Sequence, residues 1–200
     1  MRTKFLVISI LTLIFSFLFN INNPEQADAR TKTKNKVDDS LRKVVAPGLY
    51  SLQIPEYMTP DSSLNDEASL GYSDYNKELY IIVIDESGPE FVDVFTELGE
   101  YDTTKTRLEN YALSQKESLL SVLDTIVTTT PFTTKKINGL NTMTFDVTGH
   151  VIDIEGHISY RARFIQGKTK LYFILTWTFE PSMPQYSRVM NVMLNSFKEM

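Results

Sequence analysis

The chain contains two histidines, His150 and His157, and the six residues between them include two carboxylates, Asp153 and Glu155. If the chain reverses near Asp153, the two imidazoles face each other across a β-hairpin and the carboxylates lie in its turn. Imidazole nitrogens and carboxylate oxygens are ligands of Zn²⁺ and of similar divalent ions. The sequence therefore makes His150, Asp153, Glu155 and His157 a candidate metal site. The favoured interpretation is a solvated hairpin tip that holds two histidines on its polar face, because the sequence fixes no third strong ligand.

The same hairpin places a second set of charged residues opposite one another. With a reversal near residues 153–154, Asp146 pairs with Arg161, and Arg163 lies two residues further along the second strand. A partner that carries carboxylates could dock on such a charged ladder. The alternative is a simple cross-strand contact, which contributes less than ~1 kcal/mol to stability.

No known catalytic motif stands in a structural context that could support it. The chain has no Cys, which excludes disulfides, thiolate zinc sites, iron–sulfur clusters and thioester chemistry. Ser40 and Lys43 match the Ser-x-x-Lys spacing but lie outside any predicted strand–helix junction. Neither a Gly-rich phosphate loop nor a nucleophile elbow is present. We therefore expect no enzyme and no cofactor; a hydrolase whose site is assembled from distant residues stays open as an alternative.

The first 29 residues have the three parts of a cleavable secretory signal. Arg2 and Lys4 precede an apolar stretch, residues 5–19, and a polar stretch ends in Ala-Asp-Ala at residues 27–29. As a helix the apolar stretch would span roughly 22 Å, less than the ~30 Å of a bilayer core, which favours cleavage over an uncleaved anchor. Export without Cys, and without an Asn-x-Ser/Thr acceptor, favours a bacterial envelope protein that is periplasmic or secreted.

Charge divides the remaining chain into two parts. Residues 30–46 carry six basic and two acidic side chains, whereas residues 47–200 carry 12 basic and 21 acidic ones. We interpret residues 30–46 as a basic, flexible linker and residues 47–200 as a single α+β domain. Because that domain is acidic, nucleic acid is not an expected partner. No later segment is apolar and long enough to span a bilayer, so no stable membrane insertion is expected after signal cleavage.

Hydrophobic periodicity predicts two successive helices in the middle of the chain and one at its end, beside an antiparallel sheet. The apolar run at residues 79–84 predicts a strand covered on both faces. A short helix begins at Ser87 and ends before Gly99, and a longer helix follows from residue 102 or 103 to residue 122. A last helix begins after Ser182, with large apolar side chains on one side from Tyr186 to Phe197.

Three chain reversals between residues 132 and 179 predict a four-stranded meander. Asn138-Gly139 is a strong two-residue hairpin signal, because both of its positions require a positive φ. Further reversals are expected near Asp153-Ile154 and at Gly167-Lys168. If all three are tight, the cross-strand pairs include Thr134 with Met143, Val147 with Tyr160, His150 with His157, and Phe164 with Leu171. The prediction is an α+β fold built on a single antiparallel sheet with helices packed on it.

The order of these elements resembles the PsbP-like family. The resemblance rests on the Ile54-Pro55 turn, on Glu-Leu-Tyr-Ile-Ile-Val-Ile at residues 78–84, and on the aromatic strand at residues 172–177. It also rests on the terminal helix that closes in Asn-Ser-Phe-Lys at residues 195–198. The resemblance implies an α-β-α sandwich and an accessory or binding role without catalysis, and it implies no site residue. The leading hypothesis is an exported, non-enzymatic domain that binds a protein partner in the cell envelope.

Overall fold

The computed structural model describes residues 40–200, so the predicted signal peptide and residues 30–39 lie outside the described residues. The described part contains eleven strands and three α-helices. The strands are β1 Leu41–Ala46, β2 Tyr50–Pro55, β3 Thr59–Pro60, β4 Leu70–Asp74, β5 Leu79–Ser87, β6 Thr125–Thr129, β7 Thr133–Ile137, β8 Leu140–His150, β9 His157–Gln166, β10 Lys170–Phe179 and β11 Lys198–Glu199. The helices are α1 Gly88–Glu97, α2 Arg107–Ser121 and α3 Met183–Asn195. None of these helices is long and apolar enough to cross a membrane.

The strands form two sheets. The larger sheet has eight strands in the order β3-β4-β5-β10-β9-β8-β6, with β7 also paired to β8, and the smaller one has the order β1-β2-β11. Their ladders are antiparallel, and the predicted α+β class is confirmed. The prediction of a single sheet is wrong, because the first two strands and the last strand of the described chain form a sheet of their own.

The predicted flexible linker is wrong for its last six residues, which form β1. Arg42 and Lys43 are exposed, whereas Leu41 and Val44 are half-buried and Ala46 is buried. This strand pairs with β2 along its whole length. Charged side chains on an edge strand do not prevent its backbone from pairing, and the excess of positive charge in residues 30–46 masked the strand in the sequence.

The first two reversals of the meander are confirmed residue by residue. Asn138 and Gly139 have φ values of +49° and +86°, and Thr134 pairs with Met143. In the next hairpin, Val147 pairs with Tyr160, and the other predicted pairs follow the same register.

The third reversal has a different register from the predicted one. Phe164 pairs with Phe173 and not with Leu171, because the loop is wider than two residues and the Gly167 N–H donates to the carbonyl of Lys170. The difference is two residues. Since side chains alternate with a period of two, the same side chains still point inward.

The helix ends follow local capping chemistry. Ser87 caps α1, and Gly99 follows that helix with a φ of +75°. The second helix begins at Arg107, later than predicted, because Thr106 and Glu109 form a reciprocal capping box. Asp102 instead accepts hydrogen bonds from the backbone and side chain of Thr104.

Alternate residues of β5 point into two separate apolar clusters. Tyr80 and Ile82 belong to a cluster that includes the buried side chains of α1 and α2. Ile81 and Val83 belong to a second cluster, which includes those of α3 and of the β1–β2 ladder. Because successive side chains of a strand point to opposite faces, both faces of the large sheet are covered at β5.

Candidate functional site

A polar strip covers one face of β8 and β9 beside α3. Met143, Phe145 and Val147 of β8 point into the apolar cluster under α1 and α2. The intervening residues Thr144 and Asp146 therefore lie on the opposite face. There they pair directly with Arg163 and Arg161 of β9.

The first charged group of this strip is a compensated ion pair. Nη2 of Arg161 lies 2.6 Å from Oδ2 of Asp146, and Nε lies 3.0 Å from Oδ1. The remaining nitrogen, Nη1, donates to the backbone carbonyl and the hydroxyl of Ser187, both at 3.2 Å. The predicted Asp146–Arg161 contact thus exists, and it also connects the sheet to α3.

The second charged group is a buried guanidinium. Arg163 is only 2% exposed. Its Nε donates to Oγ1 of Thr144 at 3.1 Å, and its Nη1 donates to Oδ1 of Asn195 at 3.0 Å. Within residues 40–200 no carboxylate forms an ion pair with it. Burial, together with the neighbouring charge of Arg161, lowers the pKa of Arg163 to about 10.

Lys135 is the third cation of this region. Its Nζ donates to the same Oδ1 of Asn195 at 2.8 Å, so a single neutral oxygen accepts hydrogen bonds from two cations. Burial and the nearby charges of Arg163 and Arg161 lower the pKa of Lys135. We call Lys135, Arg161 and Arg163 the basic cluster.

The basic cluster carries more positive charge than its surroundings neutralise. Of the three cations only Arg161 contacts a carboxylate, that of Asp146, and within residues 40–200 Lys135 and Arg163 donate to neutral acceptors. Lys135 is exposed, so that the cluster can be reached from solvent. Such a site is suited to an incoming anionic group.

The two histidines pair across the hairpin as predicted, but their carboxylate neighbours differ from the predicted ones. The ring centroids of His150 and His157 are 6.5 Å apart. Nδ1 of His150 lies 3.5 Å from Oδ2 of Asp124, and Nδ1 of His157 lies 2.9 Å from Oε2 of Glu180.

The predicted carboxylate ligands stay in the turn. Asp153 and Glu155 are both exposed, and Asp153 adopts a φ of +68°. Among residues 40–200 there is no group of three or more His, Asp or Glu side chains arranged to hold a metal ion. Metal binding at His150, His157, Asp153 and Glu155 therefore stays a prediction.

Sequence reasoning missed Lys135 and Asn195 as parts of the site. They lie sixty residues apart and meet only because α3 crosses the sheet above β7 and β9. One feature of the sequence could have indicated Lys135. In the predicted hairpin it lies opposite Thr142, on the polar face that also carries Arg161 and Arg163.

Comparison with known proteins identifies the fold. No protein-family model matches the sequence, and no curated protein does. The solution structure of cyanobacterial PsbP from Synechocystis sp. PCC 6803 superimposes with a TM-score of 0.51 over 86% of this chain and 100% of that chain. The chain has a PsbP-like fold. The predicted resemblance is thereby confirmed, and at 14% sequence identity it concerns the fold alone.

A second structure superimposes less well. It is LpqN of Mycobacterium tuberculosis, described as involved in cell envelope biogenesis, with a TM-score of 0.49, 11% identity, and coverage of 80% of this chain and 91% of that one. At this level of similarity it adds nothing to the assignment of the PsbP-like fold.

Proposed function

We propose that this chain is an exported, non-enzymatic accessory domain of the bacterial envelope that binds an acidic segment of a protein partner at the basic cluster. In this proposal the helices and the two sheets form the α-β-α sandwich of PsbP-like proteins. The observation that carries it is the buried Arg163 guanidinium, which has hydrogen-bond acceptors but no carboxylate partner among residues 40–200.

The energetics of the basic cluster support an anionic partner. Removing a charge from water is unfavourable unless an opposite charge compensates it, and neutral acceptors satisfy only the hydrogen bonds. The lowered pKa values of Lys135 and Arg163 report this uncompensated charge. A carboxylate that approaches Lys135 and Asn195 would raise both pKa values and stabilise the charged forms.

The charge of the rest of the domain supports the same interpretation. Residues 47–200 have a large excess of acidic side chains, so the basic cluster is a local region of positive potential on an acidic protein. An acidic segment would be repelled by most of the surface and attracted here, which favours one orientation of binding.

A defined acidic peptide tests the binding proposal. Fluorescence anisotropy with labelled hexaglutamate should give saturable binding that Lys135→Gln weakens severalfold. Raising the salt concentration from about 0.05 M to about 0.5 M should weaken it as well, because screening shortens the reach of exposed charges. Lys136→Gln is the matched control, since Lys136 follows Lys135 in β7 but points to the opposite face. Equal affinities of Lys135→Gln and the unsubstituted protein would contradict the proposal.

A mass measurement tests the proposal of export. Protein recovered from the envelope of the native host should lack residues 1–29 and begin at Arg30, as the Ala-Asp-Ala sequence before that residue predicts. A species that retains Met1 would contradict the predicted cleavage.

A further inference from the structure

A cleft of about 700 Å³ lies on the other face of the β7–β8 hairpin, under the first turn of α2. Its walls include Tyr101, Leu108 and Met143, together with the polar side chains of Arg107, Lys136 and Gln166. Thr134 pairs with Met143, and Lys136 lies two residues beyond Thr134, so Lys136 shares the face of the hairpin on which Met143 lies. Lys135 of the basic cluster borders the cleft as well, but its Nζ donates to Asn195 of α3, which lies on the opposite face of the sheet.

Arg107 is a cation without a counterion in this cleft. Its Nε is buried and has no hydrogen-bond partner, and within residues 40–200 its guanidinium forms no ion pair. The guanidinium packs closely against Gly88, where an added Cβ would lie 2.9 Å from Nη1. This contact restricts the position of the side chain. A guanidinium that is fixed in this way and has no ion-pair partner is suited to bind a carboxylate, to which its N–H groups can donate.

The only carboxylate among the residues that line the cleft is already engaged. Oε2 of Glu109 accepts hydrogen bonds from the backbone N–H and the hydroxyl of Thr106, both at 2.7 Å. It therefore caps α2 and does not pair with Arg107. Lys136 also lacks an ion pair in the described part of the chain. Lys135, at the border of the cleft, donates to Asn195, so Arg107 and Lys136 are the two cations available to an anion there.

We propose that this cleft binds a small amphipathic organic acid. The acidic group pairs with Arg107 and Lys136, and the hydrocarbon or aromatic part packs against Tyr101, Leu108 and Met143. The volume lies within the range of roughly 300–1,000 Å³ that is typical of small-molecule sites, and the wall combines apolar side chains with polar groups that can orient a ligand. This site adjoins the basic cluster at Lys135 but uses different cations, Arg107 and Lys136, to bind its ligand.

Fluorescence titration with 8-anilinonaphthalene-1-sulfonate, an aromatic anion, tests the proposal on the folded mature protein. We expect saturable binding to one site, and we expect Arg107→Gln to weaken it about fivefold or more, since a charge-assisted contact is lost. Lys136→Gln should weaken it less, and Lys135→Gln should weaken it least, because Nζ of Lys135 is held by Asn195. Hexaglutamate binding should show the reverse order of the two lysines, so that failure of either site is visible separately.

Competition identifies the ligand class. Octanoate should displace the dye, whereas inorganic phosphate at the same concentration should not, because phosphate lacks the apolar part. Displacement by phosphate to the same extent would overturn the amphipathic class and indicate a simple anion site. An unchanged dye affinity in Arg107→Gln would overturn the site itself.

A measurement on the unsubstituted protein covers the case in which Arg107→Gln does not fold. Amide NMR shifts on addition of octanoate should be largest at Arg107, Lys136 and Gln166. Shifts confined to the face of β8 and β9 beside α3 would contradict the proposal.

Discussion

Glu86 should make the stability of this protein depend on pH in an unusual direction. This residue lies near the end of β5, and its Oε1 accepts hydrogen bonds from the hydroxyl of Tyr111 at 3.0 Å and from Nε2 of Gln115 at 3.2 Å. Burial raises the pKa of Glu86 from its ordinary value near 4.5 to about 7, and the charge of Asp85 adds to this, although the hydrogen bond from Tyr111 opposes it. The folded chain therefore binds a proton at this residue over a pH range in which the unfolded chain has released it.

The sign and size of the effect follow from proton linkage. Below pH 4.5 both states are protonated, and the stabilising contribution is fully present. As the pH rises toward 7 the contribution is lost, because the folded state must either retain the proton or ionise a buried carboxyl. A difference of about 2.5 pKa units corresponds to roughly 3 kcal/mol of unfolding free energy.

The substitution Glu86→Gln removes the titration and keeps an oxygen that can accept from Tyr111 and Gln115. We expect the unfolding free energy of the variant, relative to the unsubstituted protein, to rise by roughly 3 kcal/mol between pH 4.5 and pH 8. Urea denaturation followed by circular dichroism at four or five pH values measures this difference. Glu117→Gln is the control. Glu117 is exposed on α2, the helix that carries Tyr111 and Gln115, and its substitution should give a curve parallel to that of the unsubstituted protein. Parallel curves for Glu86→Gln would refute the reasoning.

Three further predictions concern packing and the histidine pair. Phe197→Ala should destabilise the fold by about 3–5 kcal/mol in urea denaturation, because the ring is fully buried between two tyrosine rings; a loss below 1 kcal/mol would argue against this packing. Gly71→Ala should also lower the melting temperature, since an added Cβ would overlap the carbonyl oxygen of Asp61, and an unchanged melt would contradict that close approach. Excess zinc should not raise the melting temperature, because the imidazoles of His150 and His157 are each beside a different carboxylate; a rise that His150→Ala abolishes would establish the metal site instead.

Local chemistry made part of this fold predictable. The hairpin at Asn138 could be predicted because its turn type demands particular residues, and the inward face of β8 followed from strict alternation. The third register was not predictable, because Gly167 permits loops of several lengths and alternation cannot distinguish registers that differ by two residues. The strand at Leu41 was not predicted because the basic side chains Arg42 and Lys43 interrupt its apolar pattern.

The candidate sites were less predictable than the fold, because they depend on contacts between distant segments. Arg161 and Arg163 could be placed on the polar face from the hairpin register alone. The contact of Arg163 with Asn195 required knowledge of where α3 crosses the sheet, and sequence periodicity gives only which side of a helix is apolar. The cleft around Arg107 likewise depends on the true start of α2, which the capping box moves beyond the predicted start.

The small sheet has a consequence for the order in which the protein folds. Its central strand β2 pairs on one side with β1, which is close in sequence, and on the other side with β11, about 150 residues further along the chain. Contacts between such distant residues form late, because a long loop must close before they add any stability. Tyr50 lacks one of its two aromatic neighbours until Phe197 packs against it. The small sheet therefore couples the two ends of the described chain, and the domain should fold and unfold as one cooperative unit.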